Sequence, residues 1–258
     1  MPDSSLVKYD LTVSFLGYWF VGTGRESGAY SDESVLRDSS GFPYVPGKSL
    51  KGVFREAFAS AAEAGWFDAF NTRGISREEF AKELTGLIFG RPGAKLSTRN
   101  TGLGKMEDST GAETGDDNGG IGTASVADEL LTEGLIHFSN GAIPPGVRER
   151  ITRSGIADSG GAEHLFTTIK NTAIDKITGT AGDKSLRTME VVVPLHLHAE
   201  LSLDAPYPDQ EKAMPVRAED LRQIAGMFGD VAALITEIGG KRRRGFGRCI
   251  WKLVPMED

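Results

Sequence analysis

The sequence predicts an α+β fold in which two helices cover one face of an antiparallel sheet. Three observations predict it. Residues 6–15 alternate apolar and polar side chains, residues 50–61 repeat apolar ones at helical spacing, and the same two patterns, strand then helix, return after residue 190.

In the first strand Val7, Tyr9, Leu11, Val13 and Phe15 fall on one side and Lys8, Asp10, Thr12 and Ser14 on the other, so a single face is buried. A turn-rich stretch follows over 22–47. Leu50, Val53, Phe54, Ala57, Phe58 and Ala61 then mark an amphipathic helix that opens at Pro46-Gly47-Lys48-Ser49. Lys48, Lys51 and Arg55 share a non-core face at i, i+3, i+7. Cations at a helix N-terminus oppose the macrodipole, and an anion bound there removes the conflict. Residues 91–120 are poor in apolar side chains and rich in Gly, Thr, Asp and Asn, which reads as a long polar insertion. A short strand is expected over 121–126, ahead of Asp128. Residues 146–188 read as a second, irregular insertion with Ile169, Ile174 and Ile177 isolated in it. Val191, Val193, Leu195, Leu197, Ala199, Leu201 and Leu203 predict one long strand. Leu221, Ile224, Phe228, Val231, Ile235 and Ile238 predict a second helix that Gly239 and Gly240 terminate. A last strand over 246–254 completes a strand, helix, strand, strand, helix, strand order. That order is a modified ferredoxin-like (RRM-like) core, carried by one domain over 1–258 with long insertions. The uncovered sheet face is free for a partner.

With 258 residues, 39% hydrophobic and 25% charged, the chain is long and apolar enough to bury a substantial core. No apolar run approaches the roughly 18 residues of a membrane span, and Met1-Pro2-Asp3-Ser4-Ser5 lacks the character of a signal peptide. These features point to the cytoplasm and to no membrane partner. The single cysteine, Cys249, excludes an internal disulfide and a cysteine-rich zinc site, so no structural cofactor is expected.

Charge is distributed against the composition. The net charge is −7, yet five of the 29 Lys and Arg residues lie within Gly239-Gly240-Lys241-Arg242-Arg243-Arg244-Gly245-Phe246-Gly247-Arg248. Four adjacent cations repel one another, and a polyanion is the partner that neutralises them. Glycine takes positive φ and allows close approach, which suits phosphate contact; a solvated basic run between a helix and a strand is the competing reading. Lys48, Lys51, Arg55 and the 241–244 run converge if both helix ends meet at one sheet edge. His196 and His198 share a strand face, a spacing able to bind metal, but no third ligand in matching register is visible. His137 and His164 stand alone in polar contexts, so a histidine-driven reaction is disfavoured.

Gly41-Phe42-Pro43-Tyr44-Val45-Pro46-Gly47-Lys48-Ser49-Leu50-Lys51-Gly52, the stretch Gly120 to Asp128, and Ile238-Gly239-Gly240 through Gly247 occur in this order, and together resemble the RAMP superfamily of CRISPR-associated proteins. The form of the helix-opening motif is most similar to the backbone (Csm/Cmr-type) subunit of type III effector complexes. The resemblance implies a subunit that binds CRISPR RNA and target RNA, alongside other copies of itself and other RAMP subunits. It implies RNA contacts at Ser49, Gly239, Gly240 and Gly245 as well as at the cations already named, with Arg37 either contacting guide phosphate or merely solvated. It also implies a thumb-like hairpin, for which 170–187, with Lys170, Asn171, Lys176 and Arg187, is the fitting segment. The target-cleaving aspartate of the family corresponds to Asp32, a few residues ahead of Asp38. An aspartate on a loop can hold Mg²⁺ or another divalent cation for attack by the RNA 2′-hydroxyl, and it can equally cap a turn. Asp38 either shares that task or holds the turn before Gly41. Two other functions remain open: a non-catalytic binding or capping subunit, and a stand-alone endoribonuclease that processes the CRISPR repeat.

Overall fold

A computed structural model describes residues 5–22, 34–91, 134–154, 161–174, 181–211 and 214–256. Among them lies a four-stranded antiparallel sheet built from β1 (Ser5–Phe15), β2 (Ile136–Phe138), β5 (His196–Asp204) and β6 (Cys249–Pro255). Its order is β2-β5-β1-β6. The two strands most distant in sequence therefore flank each other at one side, which is the ferredoxin-like arrangement. Register follows the alternation: Val13 faces Leu197 on one side and Trp251 on the other, and Leu11 faces Ala199 and Leu253. Slipping any strand by one residue would turn its apolar set to water.

Helix α1 (Gly47–Glu63) lays Leu50, Phe54 and Phe58 onto the inner sheet face. Phe54 meets Phe138 and Phe228 at 5.5 Å ring separation and Trp251 at 6.2 Å, which makes it the hub of the core. Truncating so enclosed an aromatic costs about 3–5 kcal/mol. The Tyr9 hydroxyl, buried, donates to the Ala225 carbonyl at 2.8 Å and fastens β1 to the helix at Leu221–Gly226. The outer sheet face is largely polar, with Asp10, His196, His198, Glu200 and Lys252 exposed, and Ile250 and Val254 of β6 exposed among them.

Several expectations change. Helix α2 (Arg77–Phe89) lies where no element is expected; Ser76 caps it by accepting the Glu79 N–H at 3.3 Å, and Phe80, Leu84, Leu87 and Ile88 are buried. The described residues of 146–188 are regular where irregular structure is expected. The stretch contains helix α3 (Pro145–Ser154) and a hairpin of β3 (Phe166–Ile174) and β4 (Ala181–Val192). The expected long strand from Val191 is two strands in two sheets. Pro194 interrupts it, and β4 gives way to β5 after Val192. The hairpin is rooted in the core by the Trp19–Val192 bridge, with each backbone N–H donating to the other's carbonyl at 3.1 and 2.9 Å. The second helix is likewise two short ones, α4 (Leu221–Gly226) and α5 (Phe228–Ala233), broken at Met227. Ile235 and Ile238 are buried beyond its end, so burial rather than helix extends the apolar pattern, and Gly239-Gly240 is not a helix cap. The expected strand at 121–126 and nearly all of the 91–120 insertion lie outside the described residues. Among the described residues no helix is long and apolar enough to cross a membrane.

Candidate nucleic-acid interface

The basic loop is closed at its base by the chain itself. Ile238 N–H donates to the Gly247 carbonyl at 2.9 Å, and Glu237 bridges Arg248. At its tip Lys241 adopts left-handed φ 60°, and Arg242–Arg244 form one 3₁₀ turn that Gly245 closes at φ 81°. Gly240 N–H donates to the Phe20 carbonyl, and Gly245 N–H to the Arg242 carbonyl, both at 2.8 Å. These amides are therefore not open to phosphate. The close approach expected of the glycines is intramolecular: a Cβ on Gly239, at φ 101°, would sit 2.3 Å from the Phe20 oxygen. What the loop offers outward is side chains. Arg242, Arg243 and Arg244 are exposed, and no ion pair holds them among the described residues.

The helix-opening motif meets this loop. Gly47 lets α1 press on the end of β2, where a Cβ would stand 2.3 Å from the Phe138 oxygen, and its N–H donates to Asn140 Oδ1 at 2.9 Å. Helix α1 is thereby fixed in rotation. Ser49, Val53 and Glu56 face Gly239, Gly240 and Arg242 across a cavity of about 270 Å³. A second lobe of about 380 Å³ continues along the helix and shares Val53, Glu56 and Arg242.

The cation stripe of α1 lies on another flank. Lys48 is exposed and Arg55 half-buried, while Lys51 turns inward and donates to the Ile136 carbonyl at 2.8 Å. Burial first, and then the charge of Arg55, lower the Lys51 pKa. Lys51 holds β2 rather than waiting for a phosphate. Arg37 is also engaged: its guanidinium reaches Glu190 at 2.6 Å and lies 3.6 Å over the Phe166 ring. Asp38 holds the turn. One carboxylate oxygen accepts the Ser40 and Phe42 N–H groups at 2.9 and 3.0 Å, and the other meets Arg148 of α3, which stacks over Phe42.

Lys170 is exposed on β3, and Asn171 pairs with Arg187 in the antiparallel β3–β4 register, while residues 175–180 of the segment expected as a thumb lie outside the described residues. Asp32 and Lys176 lie outside the described residues. His196 Nδ1 lies 2.8 Å from Ser14 Oγ, and His198 and His137 lie 3.7 and 3.3 Å from the carboxylates of Asp10 and Asp204. No group of three or more His, Cys, Asp or Glu able to hold a metal occurs among the described residues. The described geometry sets three exposed guanidinium groups beside a groove.

A sequence profile of the RAMP superfamily matches residues 12–250. No curated protein sequence matches the chain. A chain of the type III-B Cmr-beta complex in its apo state is 12% identical, with 99% of each chain covered and a TM-score of 0.48. A chain of type III-B Cmr-beta bound to cognate target RNA is 10% identical, with 97% of this chain and 98% of that one covered and a TM-score of 0.50. At 10% identity the likeness to the RNA-bound complex chain is one of fold alone.

Proposed function

This chain belongs to the RAMP superfamily, and on that premise we propose that it is a CRISPR RNA-binding backbone subunit of a type III effector complex, holding guide RNA and cleaving bound target RNA. The observation that carries the reading is the meeting of two motifs from opposite ends of the sequence: Ser49 of the helix opening and Gly239, Gly240 and Arg242 of the basic loop line one cavity. Three exposed arginines beside it lack ion-pair partners among the described residues, in a chain whose net charge is −7. Contacts of this kind are sequence-independent and salt-sensitive, as a subunit that must accept any guide requires. The acidic remainder of the protein discourages wrapping of stray RNA.

The partners in this reading are guide RNA, target RNA, further copies of the chain and other RAMP subunits, in the cytoplasm. The β3–β4 hairpin fits the role of the thumb that reaches a neighbour. Asp32 is the residue proposed for cleavage, as a carboxylate ligand for Mg²⁺. When bound, such an ion neutralises charge at phosphorus as the 2′-hydroxyl attacks.

Charge reversal of Arg242, Arg243 and Arg244 to Glu in the full chain tests the binding claim. We expect guide RNA to be lost at moderate salt, with the slope of log affinity against log salt shallower by about 0.7 for each phosphate contact removed. Unchanged affinity and slope would refute the assignment of the loop.

A further inference from the structure

The groove between α1 and the C-terminal loop holds two opposite charges that do not meet. Glu56 and Arg242 line both of its lobes. Both are exposed, and neither has an ion-pair or side-chain hydrogen-bond partner among the described residues. A carboxylate and a guanidinium flanking one groove without closing on each other are arranged for a ligand that complements both.

The chemistry of that ligand follows from the two groups. Arg242 takes an anion. An ionised Glu56 has acceptor oxygens only and repels phosphate, so the group opposite it must be a neutral or cationic hydrogen-bond donor. Ser49 and Glu56 lie on the same flank of α1, two turns and about 10 Å apart, with Val53 between them. Arg242 borders both lobes and Ser49 only the first, so a strand whose phosphate rests at Ser49, within the groove that Arg242 borders, carries its sugar over Val53 toward Glu56. RNA has a donor at that place, the ribose 2′-hydroxyl, and DNA has none. A cationic segment of a protein partner would also satisfy Glu56, and Glu237 lines the second lobe. Arg242 lines that lobe too, however, and Arg243 and Arg244 are exposed next to it in sequence, so such a segment would approach against like charge.

We propose that Glu56 is a specificity-determining residue that accepts a hydrogen bond from the ribose 2′-hydroxyl of the strand held by the basic loop, and so selects RNA over DNA. The proposal rests on the reading that the loop binds RNA. Glu56 supplies discrimination in two ways: it rewards the hydroxyl, and it repels a strand that leaves the carboxylate unsatisfied against sugar and phosphate.

The test compares the full-length protein with Glu56→Ala and Glu56→Gln. Binding is measured by fluorescence anisotropy to one single-stranded sequence prepared as RNA, as 2′-O-methyl RNA and as DNA. The wild type is expected to bind RNA roughly tenfold or more tighter than either analogue, the range for a hydrogen bond to a charged group. Glu56→Ala should bring the ratio toward one, partly by tightening DNA, a gain that misfolding cannot produce. Glu56→Gln should fall between. A wild-type preference for RNA that survives in Glu56→Ala overturns the proposal and leaves the loop reading intact. Failure of the wild type to bind any of the three strands overturns the loop reading, and the proposal with it. Capture of an arginine-rich peptide in preference to all three strands would put a protein partner in the groove and overturn both.

Discussion

The guanidinium of Arg37 donates to one carboxylate oxygen of Glu190 at 2.6 Å, while the other oxygen accepts the Val35 N–H at 3.2 Å. One side chain near the end of β4 thus fastens the segment that precedes the helix-opening motif. Both partners are partly exposed, so the ion pair contributes modestly, but removing the carboxylate also strands the Val35 amide. We expect Glu190→Ala to lose about 1–2 kcal/mol in urea denaturation. Arg37→Ala should lose less and leave guide RNA affinity within about twofold, because its guanidinium is already engaged. A large loss of RNA affinity in Arg37→Ala would return that residue to the interface.

Two glycines of one motif should respond in opposite directions. Gly47→Ala places a Cβ 2.3 Å from the Phe138 oxygen and 2.9 Å from the Ser139 oxygen, both rigid backbone. We expect about 2–4 kcal/mol of destabilisation. Gly52 is exposed within α1 with nothing inside 4 Å of an added Cβ. Gly52→Ala should stabilise by about 0.5–1 kcal/mol through helix propensity alone. Thermal melts of the two variants measure both effects.

The two aspartates before α1 should separate in the same way. Asp38→Ala removes the acceptor for the Ser40 and Phe42 amides and leaves Arg148 without its partner, so it should lower stability by about 1–3 kcal/mol. Asp32→Ala, assembled into a complex, should leave target binding unchanged and abolish Mg²⁺-dependent cleavage at the sites served by this subunit. Full cleavage in the Asp32 variant would remove that residue from the chemistry.

Burial pushes the Cys249 thiol up to about 11. An unfolded thiol titrates near 8.5, so between these values the unfolded chain gives up a proton that the folded chain keeps. The sign is then fixed: the contribution to stability is present below the unfolded pKa and is lost as pH rises through about 11. Denaturation midpoints should fall above pH 9, and Cys249→Ala should flatten that decline. Native Cys249 should resist alkylation at pH 8 and react at the rate of unfolding.

Much of the core was legible because single-faced elements announce themselves. The alternation through Tyr9, Leu11 and Val13 and the helical spacing of Leu50, Phe54 and Phe58 survive unchanged in the structure. Helix α2 is marked by Ser76 and Glu79, a capping signature ahead of an apolar repeat, a signal weaker than the alternation and helical spacing of the other core elements. The β4–β5 boundary was concealed because Val193 and Leu195 keep the period of two across Pro194 while the chain changes sheets. Meeting of the two motifs at one edge follows from topology. The flank of α1 they would use does not, because it depends on where Lys51 finds a carbonyl, and that carbonyl belongs to Ile136, far along the chain.

The bridge between Trp19 and Val192 has a mechanical meaning. Trp19 is wholly buried, stacks on Phe15 at 4.4 Å, and donates its indole N–H to the Val193 carbonyl at 3.2 Å. A hairpin clamped this way at its foot is a cantilever. A sideways load at the Ile174–Ala181 pair bends the two-stranded stem instead of swivelling it, and the stiffness of the stem is set by the length of β3 and β4. Lengthening both strands by two residues would move the end outward by about 7 Å and soften it at the same time.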